Sequence, residues 1–485
     1  MKQPRLFSIL IACLMVGVGW LVTGAQTSAP VPAAQKPNVV LFFMDDLGYG
    51  DLSCTGAMGY LTPNLDRMAA EGTRFTNFLA AQPVCTASRA SLLTGCYPNR
   101  IGIAGAYGPS STVGLNPDEE TLAELLKEQG YATGIFGKWH LGSKQAFLPL
   151  QHGFDEYFGV PYSHDMWPHH PDQAHAKYPP LYLIEGNQPT NEVKYLTDAG
   201  ELTAAITDRA VSFIRQHRKA PFFLYIPHPL PHVPLAASPQ FRGKSRRGLF
   251  GDVLMELDWS VGQVMQELKA QGLDKNTLVL FMGDNGPWLN YGDHAGSTAG
   301  LREGKGTTYE GGNRVPCLVR WPGVVPAGRV SNKLLTTMDV LPTVAKLCGA
   351  RQPKRPIDGV DWTALLKGDD TQTPRDRFYY YYRKNNLEAV RKGDWKLVFA
   401  HPGRTYEGFP LGRNGQPGPS TENFNFPTAL YDLAHDPGER YDVQAQHPDI
   451  VQSLQKLADE ARADLGDELQ QRQGANTRPV GQQAP

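Results

Sequence analysis

Val39-Val40-Leu41-Phe42-Phe43-Met44 runs straight into Asp45-Asp46. An unbroken apolar run of this length, β-branched and aromatic, predicts a strand buried on both faces of a parallel sheet. Three runs of the same kind follow: Ala132-Thr133-Gly134-Ile135-Phe136, Phe222-Phe223-Leu224-Tyr225-Ile226 and Thr277-Leu278-Val279-Leu280-Phe281. Helical spacing fills the intervals. Leu122, Leu125 and Leu126 share a face ahead of Gly130, and Leu254, Leu257, Val261, Val264 and Leu268 share one ahead of Gly272. Strands alternating with helices predict a doubly wound α/β domain.

Each predicted strand is followed by polar residues. The first ends in Asp45-Asp46, the second in Lys138-Trp139-His140, and the fourth in Asp284-Asn285-Gly286. The third leads through prolines to His228 and His232. Ligands of open parallel sheets bind beyond the carboxyl ends of the strands, so these groups converge on one edge. Asp45, Asp46, Asp284 and Asn285 are all oxygen donors, which suits a hard divalent cation, Ca²⁺ or Mg²⁺. Asp45-Asp46 alone would read as helix capping or a solvated loop; the second pair, after another strand, favours a metal site. Between them lies Cys85-Thr86-Ala87-Ser88-Arg89, followed by Leu92-Leu93-Thr94-Gly95. A Cys at the start of a helix faces its free amide groups, which stabilise an anion and lower a thiol pKa. Arg89 falls one turn on, on the same face.

The chain has 485 residues, and 47 basic against 48 acidic side chains, so its net charge of −1 excludes a general nucleic-acid binder. Lys2 and Arg5 precede an apolar run from Leu6 to Val22, which reads as an export signal over residues 1–25, with residues 26–36 a flexible lead-in. A periplasmic or secreted location follows, an uncleaved anchor being the alternative, and no membrane span is expected once the signal is removed. With the signal gone Cys54, Cys85, Cys96, Cys317 and Cys348 remain, an odd count that points to one cysteine with a chemical role. After about residue 370 the texture changes: Phe378–Tyr382, Trp395–Phe399 and Leu430–Leu433 read as strands without crossover helices, and Val451, Leu454 and Leu457 as a closing helix. The expected division is a catalytic α/β domain over 37–372 and an antiparallel-sheet subdomain over 373–468. Residues 401–427, rich in Gly, Pro and Asn, are either a functional loop or a mobile excursion, and 469–485 is expected to be a disordered tail.

The Cys-Thr-Ala-Ser-Arg segment with Leu-Leu-Thr-Gly resembles the maturation motif of the formylglycine-dependent (type I) sulfatases. Other segments agree in order: Met44-Asp45-Asp46-Leu47-Gly48, Thr62-Pro63-Asn64-Leu65-Asp66, Gly137-Lys138-Trp139-His140-Leu141-Gly142, Pro231-His232-Val233-Pro234, Gly283-Asp284-Asn285-Gly286 and Gly304-Lys305-Gly306-Thr307-Thr308-Tyr309-Glu310-Gly311-Gly312. The likeness covers 37 to about 445, and Gly159–Asp165 with Gly251–Asp258 is similar to the arylsulfatase type. One departure is Ala87, where the family usually has Pro.

The resemblance implies an alkaline-phosphatase-like fold, a large mixed, mostly parallel sheet flanked by helices, with a smaller C-terminal antiparallel sheet and helix. It implies sulfuric ester hydrolysis, with Cys85 oxidised to formylglycine by a maturation enzyme. The hydrated aldehyde attacks sulfur, and its second hydroxyl then expels sulfate; a serine could attack but not release. Asp45, Asp46, Cys85, Asp284 and Asn285 would hold one Ca²⁺, Mg²⁺ being the weaker choice. Arg89 would steady the nucleophile, Lys138 and Lys305 clamp sulfate oxygens, and His140 take a proton. His232, preferred over His228, or Lys305 would protonate the leaving oxygen. Ser163 would bind substrate, and His164, Trp167, His169 and His170 line its mouth. The substrate is a small-molecule or glycan sulfate ester, a sulfated carbohydrate being one expectation. The alternatives are a phosphomonoester or phosphonate ester hydrolase of the same superfamily and a non-catalytic sulfate-binding protein.

Overall fold

The computed structural model describes residues 36–170, 177–194 and 196–483, so the expected export signal lies outside the described residues. The main sheet is built from β1 (Asn38–Met44), β2 (Thr73–Phe75), β3 (Ala132–Lys138), β4 (Glu156–Val160), β5 (Tyr182–Glu185), β6 (Gln188–Glu192), β7 (Phe222–Ile226), β8 (Thr277–Gly283), β9 (Cys317–Arg320) and β10 (Arg329–Ser331). Its order is β10-β2-β9-β8-β1-β7-β3-β4-β5-β6. The four predicted runs are β1, β3, β7 and β8. They form its parallel centre with β4, and the flanks turn antiparallel at β9 and β5. The sheet is thus mixed and mostly parallel at its core.

Burial on both faces is visible along β1. Val39, Leu41 and Phe43 enter one hydrophobic cluster, and Val40, Phe42 and Met44 enter another. The second cluster is closed by α1 (Pro63–Ala70), α4 (Leu196–His217) and α5 (Leu249–Ala270), the first by α2 (Cys85–Thr94) and α3 (Leu122–Glu128). Local sequence sets these helices. Thr121 and Glu124 form a capping box on α3, the Thr121 amide donating to Glu124 Oε2 at 2.6 Å and the Glu124 amide to Thr121 Oγ1 at 3.2 Å. Gly272, at φ +72°, turns the chain out after α5.

The C-terminal sheet is antiparallel. It is formed by β11 (Arg377–Tyr382), β12 (Asn386–Lys392), β13 (Trp395–Val398) and, after an excursion through β14 (His401–Thr405) and β15 (Thr421–Phe426), by β16 (Ala429–Asp432). The helix Pro448–Leu465 packs on it through Leu454, Leu457 and Ala458. Its core also holds Leu79, Tyr97, Tyr309 and Met338, so the expected boundary at 372 is not a break in packing.

Two expectations need revision. Of the two readings of 401–427, a functional loop or a mobile excursion, the second is set aside, because its ends pair as the β14–β15 hairpin. The tail expected to be disordered is placed as far as residue 483. Its composition is polar, but Arg478 donates from Nε and Nη2 to the two carboxylate oxygens of Glu119, each at 2.8 Å, and Gly481–Gln482 pairs with Val113–Gly114. One bidentate ion pair, mostly buried, fixes what composition alone leaves free.

Candidate active site

The carboxyl ends of β1, β3, β7 and β8 do meet. Lys138 is the last residue of β3, and Asp45, His232 and Asp284 follow β1, β7 and β8. Asp46 and His140 both adopt φ +61°, a left-handed conformation that costs a non-glycine residue about 1 kcal/mol and is concentrated at functional sites. α2 begins at Cys85, with Val84 extended as its N-cap, so the free amides of the first turn surround residue 85.

Cys85 Sγ–H donates to Asp45 Oδ1 at 3.1 Å. Lys138 Nζ donates to Asp45 Oδ2 and, at 2.9 Å, to Ser163 Oγ. Lys305 Nζ lies 2.8 Å from Asp46 Oδ1, and His232 Nε2 lies 3.5 Å from Asp46 Oδ2. Arg89 donates from Nη2 to Asp284 Oδ2 at 2.8 Å and from Nη1 to the Lys138 carbonyl at 2.9 Å. The Asp46 amide donates to Asp284 Oδ1 at 3.0 Å, and Asn285 Nδ2 to Asp46 Oδ1 at 2.7 Å. Three carboxylates and three fixed cations are therefore interleaved, all buried. Burial of such charges is tolerated only because each is paired.

The electrostatics follow from this interleaving. Burial alone would raise the Asp45 carboxyl, but Lys138, His232, Arg89 and Lys305 outweigh it and hold Asp45 well below the usual carboxylate range. Asp284 is pushed up to about 8, by burial and then by Asp45, against the pull of Arg89. Burial and Asp45 push the Cys85 thiol well above 9, which reverses the lowering expected from its place at a helix N-terminus. The amide groups of the first turn are outweighed by loss of solvent and a carboxylate at 3.1 Å. Burial, Lys138 and Arg89 hold His140 well below 6.5, so its ring is neutral; Nε2 meets the Tyr107 carbonyl at 2.8 Å and Nδ1 is buried without a partner.

The donor set suits a hard cation. Ligand atoms of Asp45, Asp46, Cys85 and His232 lie within 4.8 Å of one another. Asn285, two residues beyond β8, has its Oδ1 buried and unpartnered, an acceptor that a cation would satisfy. Of the expected ligands, Asp284 and Asn285 reach the group through their bonds to Asp46 and Arg89.

The two histidines after β7 separate cleanly. His228 meets Ser260 Oγ at 3.0 Å, with its pKa pushed down to about 3 by burial, whereas His232 faces Asp46. His232 Nδ1 donates to the Val233 carbonyl at 2.5 Å, which leaves Nε2 for the site. His164 stacks edge-on against His232 with ring centres 5.8 Å apart, and its Nε2 meets the Pro234 carbonyl. Trp167, expected at the mouth, is buried and donates its indole N–H to the Val193 carbonyl, so it supports the wall; His169 beside it is exposed. Sequence reasoning passed over Trp288 and Arg404, which border Lys305. Trp288 follows the Gly283–Gly286 motif by two residues, the one signal that could have marked it. Among the described residues all five cysteines are free.

An α/β sheet whose carboxyl edge carries a buried oxygen-rich cluster ringed by cations defines an enzyme built to handle a small anion. The chain belongs to the sulfatase family. Residues 37–350 match the family model described as Sulfatase, and residues 374–484 the one described as C-terminal region of aryl-sulfatase. Arylsulfatase A of Bos taurus is 41% identical over 90% of this chain and 90% of its own. N-acetylgalactosamine-6-sulfatase of Canis lupus familiaris is 38% identical over 92% and 90%. Among solved structures, a sulfatase from Pseudoalteromonas sp. superposes with a TM-score of 0.79 at 29% identity, covering 88% of this chain and 90% of that one. A structure from work on glycosaminoglycan metabolism by Bacteroides thetaiotaomicron superposes at 0.74 with 30% identity, over 88% of this chain and 100% of that one. The chain is thus a sulfatase with an alkaline-phosphatase-like fold.

Proposed function

We propose that this sulfatase cleaves sulfate monoesters with residue 85, oxidised from Cys to formylglycine, as nucleophile, and that one Ca²⁺ is held by Asp45, Asp46, Asp284, Asn285 and residue 85. The observation that supports this most is the setting of residue 85. It opens α2 against Asp45, inside a ring of Arg89, Lys138, Lys305 and His232, and as a thiol pushed well above 9 it would be a poor nucleophile. Cys85 Sγ marks where the oxygen of the oxidised side chain would lie. Formylglycine supplies a hydrated aldehyde that can attack sulfur and then release sulfate by returning to the aldehyde. Calcium supplies fixed positive charge beside the sulfate oxygens.

The chain's own residues do the rest. Lys138 and Lys305 hold sulfate oxygens where negative charge accumulates, and Ser163, bonded to Lys138 Nζ, fixes that amine. Arg89 aligns Asp284 and the Lys138 backbone and so sets residue 85's surroundings. When protonated on both ring nitrogens, His232 gives its Nε2 proton to the leaving oxygen, and His140 Nδ1, neutral and unpartnered, receives one. Sulfated carbohydrates are the substrate class we favour, because structural relatives at 30% identity include one solved in complex with k-i-k-neocarrahexaose. The apolar run Leu6–Val22 supports export and a removed signal. Among the described residues no helix is long and apolar enough to cross a membrane.

The test is a mass measurement on the peptide containing residue 85, taken from a preparation that turns over 4-nitrophenyl sulfate. Formylglycine there is the expected result, and an unmodified thiol throughout an active preparation overturns the mechanism. Parallel rates on 4-nitrophenyl phosphate decide between ester classes, phosphate preference by orders of magnitude refuting the reading.

A further inference from the structure

We propose that Arg404 is a specificity-determining residue that selects sulfate esters carrying a second anionic group, presented beside Trp288 at the rim of the site. The inference rests on the sulfatase reading and deepens it. Arg404 comes from β14, so the C-terminal hairpin, not the main sheet, delivers it. Its guanidinium carbon lies 5.9 Å from the centre of the Trp288 ring, and Lys305 Nζ lies 4.7 Å from the same centre. A sulfate held by Lys305 therefore leaves the rest of its ester along Trp288, whose half-buried ring meets His232 edge-on at 5.7 Å. A substituent farther along that ring reaches Arg404.

The surroundings of Arg404 keep it placed and charged. Nε donates to Glu422 Oε1 at 2.6 Å, and Nη1 to the Tyr406 hydroxyl at 3.2 Å, while Nη2 has no hydrogen-bond partner among the described residues. Glu422 is 53% exposed and Arg404 19%, so the partner carboxylate is solvated and the guanidinium is the better-sheltered member of the pair. Gly306 is held at φ +78°, and a Cβ there would lie 2.9 Å from Arg404 Nη1 and 3.1 Å from the Tyr382 hydroxyl. Only glycine lets the guanidinium lie against the backbone next to Lys305. The hairpin is also fastened to the segment that carries Trp288. The Gly412 and Gly418 amides donate to the Asn290 carbonyl at 2.9 and 2.6 Å, and the Asn414 amide to Asp293 Oδ1 at 2.9 Å. Trp288, Lys305 and Arg404 thus hold one fixed spacing, as recognition of a two-anion ligand requires.

The experiment measures kcat/KM on 4-nitrophenyl sulfate and on two relatives of it, one with a ring carboxylate and one with a second sulfate ester. The readout is each variant's change in the ratio of dianionic to monoanionic ester, which cancels differences in leaving-group reactivity. Arg404→Gln is expected to lower that ratio about ten- to hundredfold, as loss of one charge-assisted contact does. Glu422→Gln, which removes the competing carboxylate, is expected to raise it. A drop with only one relative names the anion selected. A purely structural Arg404 would depress all substrates alike, and an unchanged ratio overturns the inference while leaving the sulfatase reading intact. Should Arg404→Gln misfold, an unchanged or lower ratio in Glu422→Gln overturns it instead. A wild type that turns over none of the sulfates overturns both.

Discussion

If the proposed calcium site is right, binding should release a proton held by Asp284. Its carboxyl is pushed up to about 8 by burial and by Asp45, against an ordinary value of 3.8. At pH 6 the folded protein therefore carries a proton that a cation must displace. Calcium affinity is expected to rise nearly tenfold from pH 6 to 7 and about fiftyfold from pH 6 to 8, levelling off above 8. The sign follows from the direction of the shift. A raised carboxyl binds its proton more tightly in the folded state, so its contribution to metal-free stability is present below about 4 and is lost as pH rises towards 8. Metal affinity runs the other way, because deprotonation becomes free. Of the neighbours, Asp45 stays ionised, His140 neutral and Lys305 charged across this window. Stability alone is a poorer readout, since Asp51, raised to about 7, and Glu388, raised to about 8, titrate in the same range away from the cluster. The assay is calorimetric titration of calcium into chelator-treated protein at pH 6, 7 and 8, in two buffers of different ionisation enthalpy. Close to one proton released at pH 6, falling to about half at pH 8, is expected, and Asp284→Asn should bind weakly with a flat pH profile. Affinity that is flat from pH 6 to 8 with no proton release would refute the assignment of Asp284.

Cys85→Ser should lose at least about a hundredfold in turnover while keeping the fold, and should accumulate a sulfate ester on residue 85 visible by mass; repeated turnover at near-normal rate would sink the release step. His232→Gln should lower kcat about a hundredfold on a sugar sulfate and distinctly less on 4-nitrophenyl sulfate, whose leaving group needs no proton; equal losses on both would remove His232 as the acid. Arg478→Ala should cost about 2 kcal/mol of stability, because Glu119 is buried and keeps only Arg355, and the midpoint of urea unfolding measures it. An unchanged midpoint would mean that the tail is not anchored by that pair.

Much of the catalytic edge was legible because the signals are local. A continuous apolar run such as Val39–Met44 can only be covered on both faces, and the residue after it must then sit at the sheet's carboxyl edge. Asp45, Lys138, His232 and Asp284 could be placed together on that basis. What was not legible depends on partners distant in sequence. β12 was not singled out in the sequence, because its Glu388 and Arg391 are buried only through distant partners, Thr308 and Asn77. The β14–β15 hairpin is Gly- and Pro-rich, and its order comes from the contacts to Asn290 and Asp293. The placement of the tail rests on Glu119, more than 350 residues earlier. The thiol of Cys85 was misjudged for the same reason, because Asp45 approaches it from another strand.

The enclosure of residue 85 has a bearing on when the protein can be made active. Every residue of α2 is buried, and the Cys85 side chain is sealed under Asp45. The finished fold presents no exposed chain around residue 85 to a modifying enzyme. On the proposed formylglycine mechanism, oxidation of Cys85 would have to precede folding. A molecule that folds first would then keep its thiol and lack the proposed nucleophile. On that reading the active fraction of a preparation would be set by the rates of oxidation and folding during synthesis, and two batches with the same melting temperature would differ in specific activity.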